Sequence, residues 1–290
     1  MTTSSRISEP RTGELAVPGA RLYYEVRGAG PLLVLAGAPM AAADFAAVAE
    51  QLAATHSVLT TDPRGHRGST LDHPAADSTP ALRGDDLARL IEHLGAGPAT
   101  VFGSSGGAVS ALALVQRRPD LVATVIAHEP PLIELLDDRE ALRAGTHAMI
   151  ATYLSGDVVG AWRMFFAQAN IPIPDEALEQ MFGGARDPEQ AATERYWFEH
   201  ELLGTVTWQP DIAALTALGA KVVVGVGADS AGQLCDRTSR AGGAPPPGGR
   251  GFLFRVTPGG GRRVGGGRPR PPGAAPFVAA TRVLAGRPDA

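Results

Sequence analysis

The 290-residue sequence predicts an α/β fold: a mostly parallel sheet with helices on both faces, and a helical segment inserted into it. Three observations point there. Short apolar runs alternate with helical stretches through the first 130 residues, as βαβ units require. A long strand-free stretch follows, after which a buried-strand pattern returns at Lys221–Val226. Between a strand and a helix lies a turn with glycines on both sides of a serine, Gly103-Ser104-Ser105-Gly106-Gly107.

Taken in order, Arg21–Val26 (RLYYEV) and Leu32–Ala36 (LLVLA) read as strands. Ala41–Ala54 is alanine-rich and reads as helix, and Ser57–Thr61 as a third strand. Pro80–Leu94 carries Leu82, Leu87, Leu90, Ile91 and Leu94 at helical spacing. Ala99–Phe102 is a short buried strand, Gly106–Gln116 the helix after it, and Leu121–Ala127 another strand. These runs, with the return at 205–240, define a core of residues 1–134 and 205–240. Residues 135–204 read as a helical cap built from Arg139–Leu154, Val158–Gln168, Asp175–Met181 and Pro188–Leu203. It holds a cluster of aromatics, among them Trp162, Phe165, Phe166 and Trp197. Lys221–Val226 resumes the sheet and Ser230–Arg240 reads as its helix.

The end of the chain differs in kind. Residues 241–288 contain eight arginines and no acid or lysine, although the whole chain has a net charge of −4. Twelve glycines and seven prolines fall between Gly242 and Gly273. Such a segment cannot offset its ordering entropy by burial, so 241–275 reads as low-complexity and disordered, with a terminal helix within 276–290. Without a further strand, 221–226 would be left as an unpaired edge. No window is apolar enough to span a membrane. The polar N-terminus lacks an apolar signal core, and one cysteine, Cys235, excludes an internal disulfide. The expectation is a cytoplasmic protein whose partner is a small molecule, with neither membrane nor nucleic acid. A basic-tail RNA binder is the weaker reading, because aromatics in the tail are few.

The G-x-S-x-G register selects Ser105, the serine with glycine two positions away on each side. A tight strand-to-helix turn exposes its hydroxyl, and the following helix N-terminus suits an anionic intermediate. An ordinary Gly/Ser turn would share the composition but not the context of strand before and helix after. Gly37-Ala38-Pro39 follows the strand LLVLA. Asp62-Pro63-Arg64-Gly65-His66-Arg67-Gly68-Ser69 and His128-Glu129-Pro130-Pro131 follow later strands. Together these motifs resemble the α/β-hydrolase superfamily from about Arg21 to Arg240. The departure is Ala36, where the family usually has histidine. The resemblance implies Ser105 as nucleophile and backbone N–H groups of Ala38 and Gly106 as oxyanion hole; with no metal cluster or G-x-G-x-x-G spacing in the sequence, no cofactor or metal is expected. It implies the triad acid after the strand that follows the cap, where Asp229 stands; Asp229 also suits a helix N-cap. Asp62 and Arg64 read as holding their loop. Epoxide-hydrolase and dehalogenase relatives carry aspartate at the elbow, so acyl transfer on a small ester or lactone is the expected chemistry.

A serine nucleophile needs a base. The family's histidine follows the acid, but the seven histidines (His56, His66, His73, His93, His128, His147 and His200) all precede Asp229. His66 and His128 follow strands at the same sheet end as Ser105 and are the substitute bases to consider. Alternatively, the tail is a shifted reading frame. Re-read two nucleotides later with G or C at third codon positions, Gly251–Gly261 becomes a short apolar strand followed by a Pro-Gly-His-like turn. A third outcome is a catalytically inactive hydrolase fold that binds a ligand.

Overall fold

The computed structural model describes residues 9–227, 230, 232–241 and 252–254. The core strands are β1 (Arg11–Val17), β2 (Ala20–Arg27), β3 (Leu32–Ala36), β4 (Ser57–Thr61), β5 (Thr70–Leu71), β6 (Ala99–Ser104), β7 (Val122–His128), β8 (Val222–Gly227) and β9 (Phe252–Phe254). They form one sheet in the order β1-β2-β4-β3-β6-β7-β8-β9, with β5 beside β2. The β1/β2 and β2/β4 pairs are antiparallel, and every pair from β4 through β9 is parallel. All five residues of β3 are buried, as a strand covered on both faces must be.

Helices α1 (Ala46–Leu52), α2 (Pro80–Leu94) and α3 (Gly106–Arg117) cover the sheet. The sequence fixes both ends of α2. Thr79 accepts a hydrogen bond from the Leu82 amide, Pro80 opens the first turn, and Gly95 closes the helix at φ 62°. Leu87, Leu90 and Ile91 of the expected apolar stripe are buried, while Leu82 is 38% exposed. Two apolar clusters flank the sheet, one around Val34, Val101 and Leu114, the other around Phe45, Leu52 and Phe102.

Between β7 and β8 lies the helical insertion: α4 (Arg139–Leu154), α5 (Val158–Ala169), α6 (Asp175–Phe182), α7 (Pro188–Tyr196) and α8 (Leu202–Val206). It has its own apolar cluster, centred on Met149, Tyr153, Trp197 and Phe198. The Trp162 ring lies between those of Phe182 and Trp197, with centroids 4.6 and 5.4 Å away and planes within 13°. Helices α9 (Ile212–Ala217) and α10 (Leu234–Ala241) flank β8 in sequence.

Several expectations need correction. Ala41–Ala54 is not one helix: a 3₁₀ turn, Ala42–Phe45, precedes α1. The helix expected over Pro188–Leu203 is divided by a π-helical turn, Trp197–Glu201, and the one expected from Ser230 begins at Leu234. β8 is paired at its outer edge, because Phe252–Phe254 adds as a parallel strand with Gly225 opposite Phe252. Those three residues lie inside the segment read as low-complexity. The rest of that segment, the expected terminal helix within 276–290 and Asp229 lie outside the described residues.

Candidate active site

Ser105 follows β6 and precedes α3 with φ 53° and ψ −122°, in a region that non-glycine residues seldom occupy. Its neighbours permit the turn because they lack side chains. A Cβ at Gly103 would collide with the Gly107 carbonyl, and one at Gly107 with the Ala36 carbonyl. At Gly106 a Cβ would stand 2.5 Å from the Ala38 oxygen. The elbow thus packs its backbone directly on the β3–α1 loop, which brings Gly106 against Ala38. Ser104 and Gly106 are buried while Ser105 is exposed. The Ser105 carbonyl accepts from the amides of Ala108 (3.0 Å) and Val109 (3.3 Å), which starts α3.

The Ser105 amide donates to the His128 carbonyl at 2.9 Å. The elbow and the end of β7 are therefore adjacent. The His128 imidazole is buried, with Nδ1 3.0 Å from Ser104 Oγ and its ring stacked on Phe102 at 6.1 Å between centroids. Its Nε2 is 3.7 Å from Glu129 Oε1. Burial lowers the His128 pKa below the ordinary histidine value, and the Glu129 charge opposes that shift.

Glu129 received no role in the sequence reading. Its backbone has φ 53°, and its Oε1 accepts from the Gly227 amide (2.8 Å) and the Ser230 hydroxyl (2.6 Å). These bonds tie the end of β7 to Gly227, which ends β8, and to Ser230. The only local signal was a carboxylate placed between a buried strand and two prolines. Nearby on α10, Cys235 has its thiol pKa pushed up to about 12, by burial and then by the Glu129 charge.

His66 is placed differently. Its side chain is 0% exposed, with Nε2 2.8 Å from Glu201 Oε2 and the Tyr196 ring edge-on at 5.2 Å. Glu201 belongs to the π-helical turn. Burial alone would raise its pKa, but Arg83 and His66 outweigh that and hold it low. His66 is thus built into the junction between sheet and insertion, and no described contact joins it to Ser105. The reading of Asp62 and Arg64 as loop-holding residues agrees with their partners. Asp62 accepts from the amides of Ala42 and Gly68, and Arg64 makes a bidentate pair with Asp86 at 2.7 and 2.5 Å.

Among the described residues, no group of three or more His, Cys, Asp or Glu side chains could hold a metal ion. No helix among them is long and apolar enough to cross a membrane.

Comparison with known proteins agrees with this architecture. Residues 30–195 match the model of the alpha/beta hydrolase fold family. The uncharacterized hydrolase YraK of Bacillus subtilis (strain 168) is 42% identical over 133 residues, 46% of this chain and 49% of YraK. The match thus spans about half the length of that relative. An alpha/beta hydrolase from Sphaerobacter thermophilus superposes with a TM-score of 0.62 at 23% identity, covering 94% of this chain and all of that one. A hydrolase from Pseudomonas aeruginosa PA01 gives a TM-score of 0.62 at 21% identity, over 84% of this chain and 89% of that one. With a family model matched over more than half its length, on a sheet and elbow of the corresponding form, this chain belongs to the α/β-hydrolase family.

Proposed function

We propose that this protein is a serine hydrolase of small carbonyl substrates, esters or lactones, acting through an acyl-enzyme on Ser105. One observation carries the reading: Ser105 stands exposed at φ 53°, at the N-terminus of α3, with Gly106 packed on Ala38. Attack by the Ser105 oxygen on the substrate carbonyl creates an oxyanion. Backbone N–H groups of Ala38 and Gly106 stabilise it in a site already organised to receive charge. Collapse of that intermediate expels the alcohol, and water then hydrolyses the acyl-enzyme.

The base is His128 rather than His66. His128 shares the sheet end with Ser105, whose amide it binds, and its ring nitrogen bonds the adjacent Ser104 hydroxyl. His66 is enclosed by Glu201 and Tyr196. Asp229, two residues after β8 in sequence, is the position at which the family pattern has its carboxylate. The substrate is a small molecule, no cofactor takes part, and the setting is the cytoplasm. The second reading, a ligand-binding protein without turnover, is favoured by one observation. All seven histidines precede Asp229, so none stands where the family pattern has its base.

The test is labelling with a fluorophosphonate, mapped to the residue by peptide mass spectrometry, beside turnover of a short-chain p-nitrophenyl ester. Label on Ser105, with label and turnover lost in Ser105→Ala and strongly slowed in His128→Asn, is the expected result. A folded protein that takes no label and turns nothing over would establish the binding reading instead.

A further inference from the structure

At the ends of β6 and β7 three side chains lie next to one another. Ser104 Oγ is 3.0 Å from His128 Nδ1, and His128 Nε2 is 3.7 Å from Glu129 Oε1. A carboxylate only accepts hydrogen bonds, so one facing Nε2 favours the proton on that nitrogen. Nδ1 is then left with its lone pair, which the Ser104 hydroxyl can satisfy by donating.

The carboxylate is held in place from several directions. The Glu129 amide donates to the Gly225 carbonyl at 2.9 Å, and Oε1 accepts from both Gly227 and Ser230. The fit is close: a Cβ at Gly227 would lie 2.9 Å from Glu129 Oε1. Glu129 keeps φ 53° throughout, an unfavourable backbone state for a glutamate that only such surrounding contacts sustain. Among the described residues, the groups that face the pair include the Ser104 hydroxyl and Phe102 ring from β6, the Ser230 hydroxyl and the Cys235 thiol from α10.

We propose that Glu129 is a positioning residue for the site: it fixes the tautomer of His128, stabilises its imidazolium and holds Gly227 and Ser230 to the end of β7. The inference rests on His128 being the base of the reaction proposed above. As the Ser105 oxygen bonds to the carbonyl carbon, its proton is taken up at Nδ1 of the His128 ring. The imidazolium then carries protons on both nitrogens, with the Glu129 carboxylate 3.7 Å from Nε2 as its counter-charge. When the carbon–oxygen bond to the leaving group breaks, His128 gives that proton to the departing alcohol. No proton is gained or lost over the cycle.

The test follows the His128 ring nitrogens by ¹⁵N-edited NMR across its titration in the full chain, beside fluorophosphonate labelling of Ser105. The wild type is expected to show the Nε2–H tautomer. Glu129→Gln is expected to lower the His128 midpoint by about one unit and to slow labelling roughly tenfold. Glu129→Asp, which keeps the charge, is expected to recover most of the midpoint. An Nδ1–H tautomer in the wild type overturns the proposal without any variant. So does an unchanged midpoint in Glu129→Gln. Absence of wild-type labelling would instead sink the hydrolase reading, and the NMR midpoints would still decide whether Glu129 governs His128.

Discussion

The Ser105 amide donates to the His128 carbonyl at 2.9 Å, so the elbow and the end of the neighbouring strand are locked by a backbone bond. Side-chain substitutions at either residue leave that bond available. Chemical effects at Ser105 and His128 can therefore be separated from loss of the fold. The same bond puts the buried imidazole and the exposed hydroxyl at one end of the sheet, next to the backbone of Ala38 and Gly106.

Gly106→Ala should damage chemistry more than folding. The new Cβ would stand 2.5 Å from the Ala38 oxygen and 3.1 Å from the Ala38 Cβ, so the two backbones must separate. Labelling of Ser105 should fall on the order of 10²-fold, the scale seen when one oxyanion donor is lost. Far-UV circular dichroism should be unchanged. Wild-type labelling rates in Gly106→Ala would show that the contact has no part in the reaction.

Arg64→Met should unfold the protein at much lower denaturant. Arg64 and Asp86 are both buried, and burial already raises the Asp86 pKa against the pull of Arg64. Removing the guanidinium strands a buried carboxylate, at a cost of about 3–5 kcal/mol. The double variant Arg64→Met/Asp86→Leu should recover most of that loss, because neither charge then needs a partner. Urea unfolding midpoints of the three proteins check both statements.

The fold was legible where burial is uniform or periodic. Leu32–Ala36 could only be a covered strand, and Leu87, Leu90 and Ile91 lie where helical spacing puts them. The elbow was legible because three glycines must stand at fixed offsets for its backbone to pack. β1 was not, since of Arg11–Val17 only Val17 is buried and the strand gains its order from pairing with β2. Glu129 was not, because its partners Gly227 and Ser230 are about a hundred residues away in sequence. His66 could not be separated from His128 by pattern, since both follow strands at the same end. What separates them is Glu201, brought to His66 from the insertion.

Cys235 should be a slow thiol. With its pKa pushed up to about 12, almost none of it is thiolate at pH 8. Alkylation by iodoacetamide should run roughly 10³-fold slower than for an ordinary cysteine of pKa about 8.5. Part of that shift comes from the Glu129 charge, so Glu129→Gln should speed the reaction. Mass spectrometry of timed alkylation measures both rates, and equal rates in the two proteins would remove Glu129 as a cause.

His128 should make the fold acid-sensitive, with a sign that follows from its burial. Its pKa is lowered in the folded protein, by burial first and against the opposing Glu129 charge. In the unfolded chain it titrates near the ordinary value of about 6.5. Above that pH the imidazole is neutral in both states and contributes no pH dependence. As the pH falls through about 6.5 the unfolded chain takes up a proton that the folded one resists, so stability is lost until the folded pKa is reached. His128→Asn removes that titration, and the variant's stability should decline less steeply over this window, whatever its stability at neutral pH. Urea unfolding at closely spaced pH values gives the two slopes. Parallel slopes would mean that His128 takes up its proton equally well in the folded and unfolded chain, contrary to the low pKa that its burial imposes.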